Sequence, residues 1–188
     1  MSGGDATQRH LIKIELLNEE TIVPFGEIIS GRRGTRPPDF EGVETEAWYI
    51  DYRTRGTPMV VSIHTRYGPL VFNRLERHMN VTQTFIPTGG AVSVVALAAA
   101  PDDPDDWTKM PRPEDVQGFL INGTSYMLKR GTWHSLDRFP LHPPGADFVV
   151  VTDWETQNEL KNKPMSEWRL TQDINYDEQC GVTFELVL

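Results

Sequence analysis

Two polar clusters in strand-like sequence carry the residues with chemistry to offer. The first is Glu76-Arg77-His78, followed by Gln83 and Gly90; the second is Gly123, then Lys129-Arg130-Gly131, then His134. Side chains alternate across a strand, so Glu76 and His78 project to one face. Gln83 and His134, on other strands, can meet them inside a small barrel. A carboxylate, an amide oxygen and two imidazoles form a binding set for a borderline divalent ion such as Zn, Mn or Ni. The same four groups also suit a metal-free acid/base site with no cofactor. Arg77 alternates with Glu76 and His78 and is expected outside the barrel. Arg74 shares their phase and is expected to face the pocket, where a fork-shaped cation would hold a small carboxylate. Trp133 precedes His134 and so should point away from it.

The elements that must position these residues are short strands. Leu11–Leu17 alternates at Ile12, Ile14 and Leu16 and reads as an edge strand. Asn18 is a capping residue for a short helix over Glu19 to Thr21, stopped by Pro24 and Gly26. Residues 31–46 read as a loop. Strands are predicted over Trp48–Tyr52, Met59–His64, Leu70–Asn73, Thr82–Ile86, Ala91–Ala100, Gly118–Ile121, Ser125–Leu128, Thr132–Leu136, Phe148–Thr152 and Gly181–Leu188, with a short helix over Asp153–Met165. Turns recurring every ~8–12 residues indicate a sandwich or barrel. Fourteen prolines and fifteen glycines agree with a turn-rich fold. The acidic, proline-rich segment Pro101–Pro113 reads as a solvated loop. Residues 1–10 read as a mobile tail and 11–188 as one domain, a length that can enclose a real core.

Composition narrows the function classes. A formal charge of −9 disfavours nucleic acid and anionic membranes, whose phosphates would be repelled. Cys180 is the sole cysteine, which rules out an internal disulfide. No stretch approaches the ~20 apolar residues of a membrane span, and the first ten residues lack the apolar centre of a signal peptide. A soluble cytoplasmic protein is expected, and the glycosylation-like triplets Asn80-Val81-Thr82 and Asn122-Gly123-Thr124 carry no weight.

The two clusters resemble the paired motifs of the cupin superfamily, with Glu76 at the first His position, Gln83 at the acidic position, Lys129 at the Pro position and Arg138 at the Asn position. Leu75-Glu76-Arg77-His78, Gln83-Thr84-Phe85-Ile86-Pro87, Arg130-Gly131-Thr132-Trp133-His134 and Pro24-Phe25-Gly26-Glu27-Ile28-Ile29 are similar to the ureidoglycolate lyase family within it, and the matching blocks span most of the chain. The resemblance implies a mainly β, single-domain cupin-like β-barrel (a double-stranded β-helix or jelly roll) with a few short helices. It also implies a homodimer and a lyase that splits ureidoglycolate into glyoxylate and urea. Under that reading His134 or Glu76 is the base. Arg138, Arg74 and Lys129 contact a small carboxylate substrate, and Glu76, His78, Gln83 and His134 are the candidate metal ligands. Leu128 stands where the family has a tyrosine, and residues 135–145 depart from its pattern, which leaves open another 2-hydroxy or 2-amino carboxylate. A non-catalytic carboxylate-binding cupin and a metal-dependent isomerase or dioxygenase are the competing readings.

Overall fold

The protein is described by a computed structural model over residues 8–31 and 36–188. Most of the expected tail, and part of the loop expected over 31–46, therefore lies outside the described residues. Chain order begins with β1 (Gln8–Leu16), β2 (Gly26–Ile28) and the hairpin β3 (Phe40–Glu41) and β4 (Glu46–Ala47). Next come β5 (Pro58–Arg66), β6 (Val71–Phe72), β7 (Arg74–His78), β8 (Gln83–Thr88) and β9 (Val92–Ala98). After an acidic loop follow β10 (Gln117–Asn122), β11 (Tyr126–Leu128), β12 (Trp133–Ser135), β13 (Phe139–Pro140) and β14 (Gly145–Asp153). The chain closes with α1 (Trp154–Asn162), β15 (Thr171–Asn175), α2 (Tyr176–Cys180) and β16 (Val182–Val187).

These strands form two main sheets. One runs β15-β7-β12-β9-β10-β1-β16-β6, with β13 also on β9; the other runs β2-β11-β8-β14-β5. The fold is mainly β and cupin-like, as the motifs imply. The interior between the sheets is filled by Phe85, Tyr126, Leu128, Phe148 and Val150 from one side and Val95, Leu97, Phe119 and Ile121 from the other. A second core covers the outer face of the larger sheet, joining Val94, Ala96 and Ala98 to Trp133, Tyr176, Phe184 and Leu186. Strand β9 is thus buried on both faces, which is why its sequence is a continuous apolar run rather than an alternating one.

Several local expectations are corrected. Strand β1 lies within the order of its sheet rather than at its end, pairing in parallel with β16 over Gln8–Lys13 and with β10 over Ile14–Leu16, and it starts at Gln8, within the segment expected to be tail. Its alternation reports one-sided burial, with Ile12 in the core and Leu11 exposed, which a strand inside a sheet shows as readily as one at its edge. Asn18 does cap, accepting from Glu20 N and Thr21 N, but the chain makes successive turns, Ile22 N to Asn18 O and Gly26 N to Ile22 O, and enters β2 without forming a helix. Trp48–Tyr52 is not a strand. Its polar groups are taken by side chain–backbone bonds, Trp48 Nε1 to Arg36 O and Tyr49 N to Asp39 Oδ2, which compete with a sheet ladder. Helix α1 is shorter than the expected Asp153–Met165, with Asp153 as its N-cap accepting from Thr156 N, a cap worth ~1 kcal/mol.

Two glycines hold the barrel's framework. A Cβ on Gly26 would lie 1.8 Å from Met127 O, so only glycine lets β2 pair with β11. Gly131, at φ +77°, turns the chain into β12 while its N–H donates to His78 O at 2.8 Å. The second motif is thereby tied directly to the first.

Candidate active site

Strand β7 is antiparallel to β12 with Glu76 opposite His134, and antiparallel to β15 with His78 opposite Thr171. Strand β11 places Leu128 opposite Gln83 and Tyr126 opposite Phe85. The barrel interior therefore collects Glu76, His78, Gln83 and His134. A ligand atom from each of Glu76, His78 and His134 falls within 4.8 Å of the others. Glu76 Oε1 lies 3.7 Å from His78 Nε2 and 3.9 Å from His134 Nδ1. The imidazole centroids are 5.2 Å apart.

Second contacts orient each ring. His134 Nδ1 sits 3.0 Å from Ser135 O; a carbonyl only accepts, so this nitrogen carries the proton and Nε2 presents a lone pair. His78 Nδ1 is 3.0 Å from Thr171 Oγ1, which directs Nε2 toward Glu76. Gln83 Nε2 approaches Thr152 Oγ1 at 3.4 Å, leaving its carbonyl oxygen inward. Among the described residues, His134 Nε2 and Gln83 Oε1 are buried side-chain acceptors with no hydrogen-bond partner. Both residues line a cavity of about 10 Å³ bounded by His78, Val81, Leu128, Lys129 and Thr132, room for one water or one ion.

Burial sets the protonation states. Loss of solvation raises the Glu76 carboxyl to about 7; Arg138 pulls it back down, while Asp173 pushes it up. Burial, then the positive Arg138, lowers His78 to about 4 and holds His134 well below the usual imidazole range. Near neutrality the site therefore holds two neutral imidazoles and a carboxyl divided between its acid and its base forms.

Arg138 is buried in the barrel rather than exposed on its loop. Its Nε donates to Tyr126 OH at 3.1 Å and its Nη1 to Ser135 O at 2.7 Å, and its guanidinium lies 4.1 Å from the centroid of Phe85. Arg74 reaches the rim next to Glu76, where it pairs with Asp173 at 2.6 Å. Lys129 lines the small cavity, but its Nζ donates to Val23 O and its side chain is exposed on a surface groove. Arg77 does point to the opposite face from Glu76. It is nevertheless fully buried there, lying 4.8 Å from the Trp133 ring and donating to Pro104 O, Asp106 O and Gln172 Oε1. The acidic loop is correspondingly more than solvated: it latches onto Arg77, and Asp105 pairs with Arg55 and Arg130.

Sequence alone does not single out Thr171 or Tyr126. Tyr126 carries the one available signal, because it shares a strand face with Leu128, the position at which the family has its tyrosine. Thr171 carries none, since it reaches His78 only through a strand pairing across distant sequence.

The chain is similar in sequence to known proteins. The sequence profile of the ureidoglycolate lyase family matches residues 9–172. A ureidoglycolate lyase of Burkholderia cepacia is 31% identical, covering 75% of this chain and 78% of that protein. One from Azotobacter vinelandii is 30% identical, covering 66% and 75%. One from Escherichia coli K12 is 37% identical over a shorter stretch, 47% of this chain and 46% of the relative. With the profile matched from β1 into β15, and both motifs meeting in one barrel, the chain belongs to the ureidoglycolate lyase family.

Proposed function

We propose that this protein is a ureidoglycolate lyase releasing glyoxylate and urea, a late step of allantoin breakdown in purine catabolism. The observation that carries the reading is the convergence of Glu76, His78 and His134 within 4.8 Å in a barrel that also buries Arg138. The substrate bears a hydroxyl and a ureido nitrogen on one carbon beside a carboxylate. In the forward step Glu76 takes the hydroxyl proton, the oxygen forms the glyoxylate carbonyl, and the C–N electron pair leaves with nitrogen. Because hydroxyl and nitrogen share a carbon, the same carboxyl returns that proton to the departing nitrogen and is regenerated. A carboxyl near pH 7 suits both halves, since proton transfer is most effective when the group's pKa matches the working pH.

His134 Nε2, a bare lone pair, is the second acceptor and orients the hydroxyl. Arg138 anchors the substrate carboxylate, Arg74 assists at the rim, and Lys129 closes the far side of the cavity. The one-water cavity is too small for the substrate, so entry is assigned to the side where Glu76 keeps 16% exposure.

The site also fits a divalent ion, Zn, Mn or Ni: two buried acceptors without partners and a second imidazole line an ion-sized space, and the Glu76 carboxylate lies within 4.8 Å of both imidazoles. His78, His134, Gln83 and Glu76 would hold it, and it would supply Lewis acidity toward the substrate hydroxyl. A homodimer accords with β5, which ends its sheet among the described residues and exposes Val60 at 66%. A cytoplasmic setting accords with the lone cysteine. No helix among the described residues is long and apolar enough to cross a membrane.

The test is glyoxylate release from racemic ureidoglycolate by purified protein, with and without chelator. Turnover supports the lyase, and its loss on chelation supports metal assistance. Stoichiometric binding of the substrate without turnover would instead favour the carboxylate-binding cupin.

A further inference from the structure

Helix α1 lies outside the barrel, yet it carries a carboxylate that is almost completely buried. Glu159 is 1% exposed and accepts three consecutive backbone N–H groups, from Arg169 at 2.7 Å, Leu170 at 2.8 Å and Thr171 at 2.9 Å. Charged acceptors make the stronger class of hydrogen bond, so this contact fixes the entry of the chain into β15. Leu170 O then accepts from Met79 N at 2.9 Å, and Thr171 Oγ1 meets His78 Nδ1 at 3.0 Å. The same helix is anchored at its start by buried Asp153, whose Oδ2 accepts from Thr54 Oγ1 and from Asn80 Nδ2. His78 and the two residues that follow it, Met79 and Asn80, are therefore tied through Thr171, Leu170 and Asp153 to one helix.

Resting on the lyase reading of this site, we propose that Glu159 and Thr171 are positioning residues: Glu159 sets the backbone of Thr171, and the Thr171 hydroxyl sets the orientation of the His78 imidazole. Neither residue reaches the reacting atoms. Partners of this kind that orient a histidine commonly affect activity by ~10–100-fold.

The experiment compares Thr171→Val, which keeps shape but removes the hydroxyl, with Thr171→Ser, which retains it, and with Glu159→Ala. Chelator-treated protein at one fixed pH is followed by long-range proton–nitrogen NMR of the His78 ring, and kcat and KM are measured separately. The proposal expects Thr171→Val to displace the His78 Nδ1 signal and to lower kcat by ~10–100-fold, with KM changed far less. Thr171→Ser should restore both, and Glu159→Ala should move the ring signal in the same direction as Thr171→Val. If Thr171→Val does not fold, Thr171→Ala takes its place. An unmoved His78 signal in a folded variant lacking the hydroxyl overturns the proposal. The ring signal needs no substrate, so absence of ureidoglycolate turnover would count against the lyase reading alone.

Discussion

Replacing Glu76 with glutamine should stabilise the protein while it removes activity. The carboxyl rises from 4.5 to about 7 in the folded chain, which corresponds to roughly 3 kcal/mol at about 1.4 kcal/mol per pH unit. The folded state keeps a proton that the unfolded chain has released, so the parent loses stability as pH climbs from about 4.5 through 7. His78 works in the other direction. Its imidazole falls from 6.5 to about 4, so its unfavourable contribution develops as pH drops through that range. The parent's own profile mixes the two, and only the difference between Glu76→Gln and parent isolates the carboxyl. That difference should be near zero at pH 4.5 and reach roughly 3 kcal/mol in favour of the variant at pH 8. Urea unfolding of chelator-treated protein across this range measures it. Glyoxylate release should fall by ~10²–10⁴-fold in the same variant. A difference that stays flat with pH, or a parent more stable than the variant at pH 8, would refute the buried-carboxyl argument.

Three further outcomes follow from the packing. Arg138→Lys keeps the charge but loses the fork held by Tyr126 OH and Ser135 O and the stacking on Phe85; steady-state kinetics should show KM raised by ~10–100-fold, the ~1.5–3 kcal/mol of a charged hydrogen bond. Gly26→Ala forces a Cβ against Met127 O and should cost more than ~4 kcal/mol, read as a large drop in melting temperature or as insoluble expression. Arg77→Met leaves the carbonyls of Pro104 and Asp106 without their donor, so limited proteolysis should cut within residues 101–113 well before it cuts the parent.

The site was legible because it depends on strand alternation and on two motifs whose residues face inward. Glu76 and His78 are two residues apart on β7, Gln83 opens β8, and His134 sits on the neighbouring β12, so local periodicity and motif order suffice. What escaped depends on distant pairing. Thr171 is opposite His78 only because β15 returns beside β7, and no local pattern announces that return. Alternation puts Arg77 on the correct face, but its burial comes from a loop folding over it. The acidic composition of that loop suggested solvent because its carbonyls, which are invisible in composition, do the holding. The edge reading of β1 fails for a related reason: its partners β10 and β16 are far downstream, and alternation reports which face is buried, not how many neighbours a strand has.

The central claim is that this barrel breaks the C–N bond of ureidoglycolate between the hydroxyl-bearing carbon and nitrogen, leaving the urea unit intact. Quantifying glyoxylate, urea and ammonia from one incubation, with His134→Gln as control, tests it directly. The account predicts equal glyoxylate and urea, no ammonia, and strongly reduced release of both products in the control. Ammonia in place of urea, or product formation undiminished by His134→Gln, would contradict it.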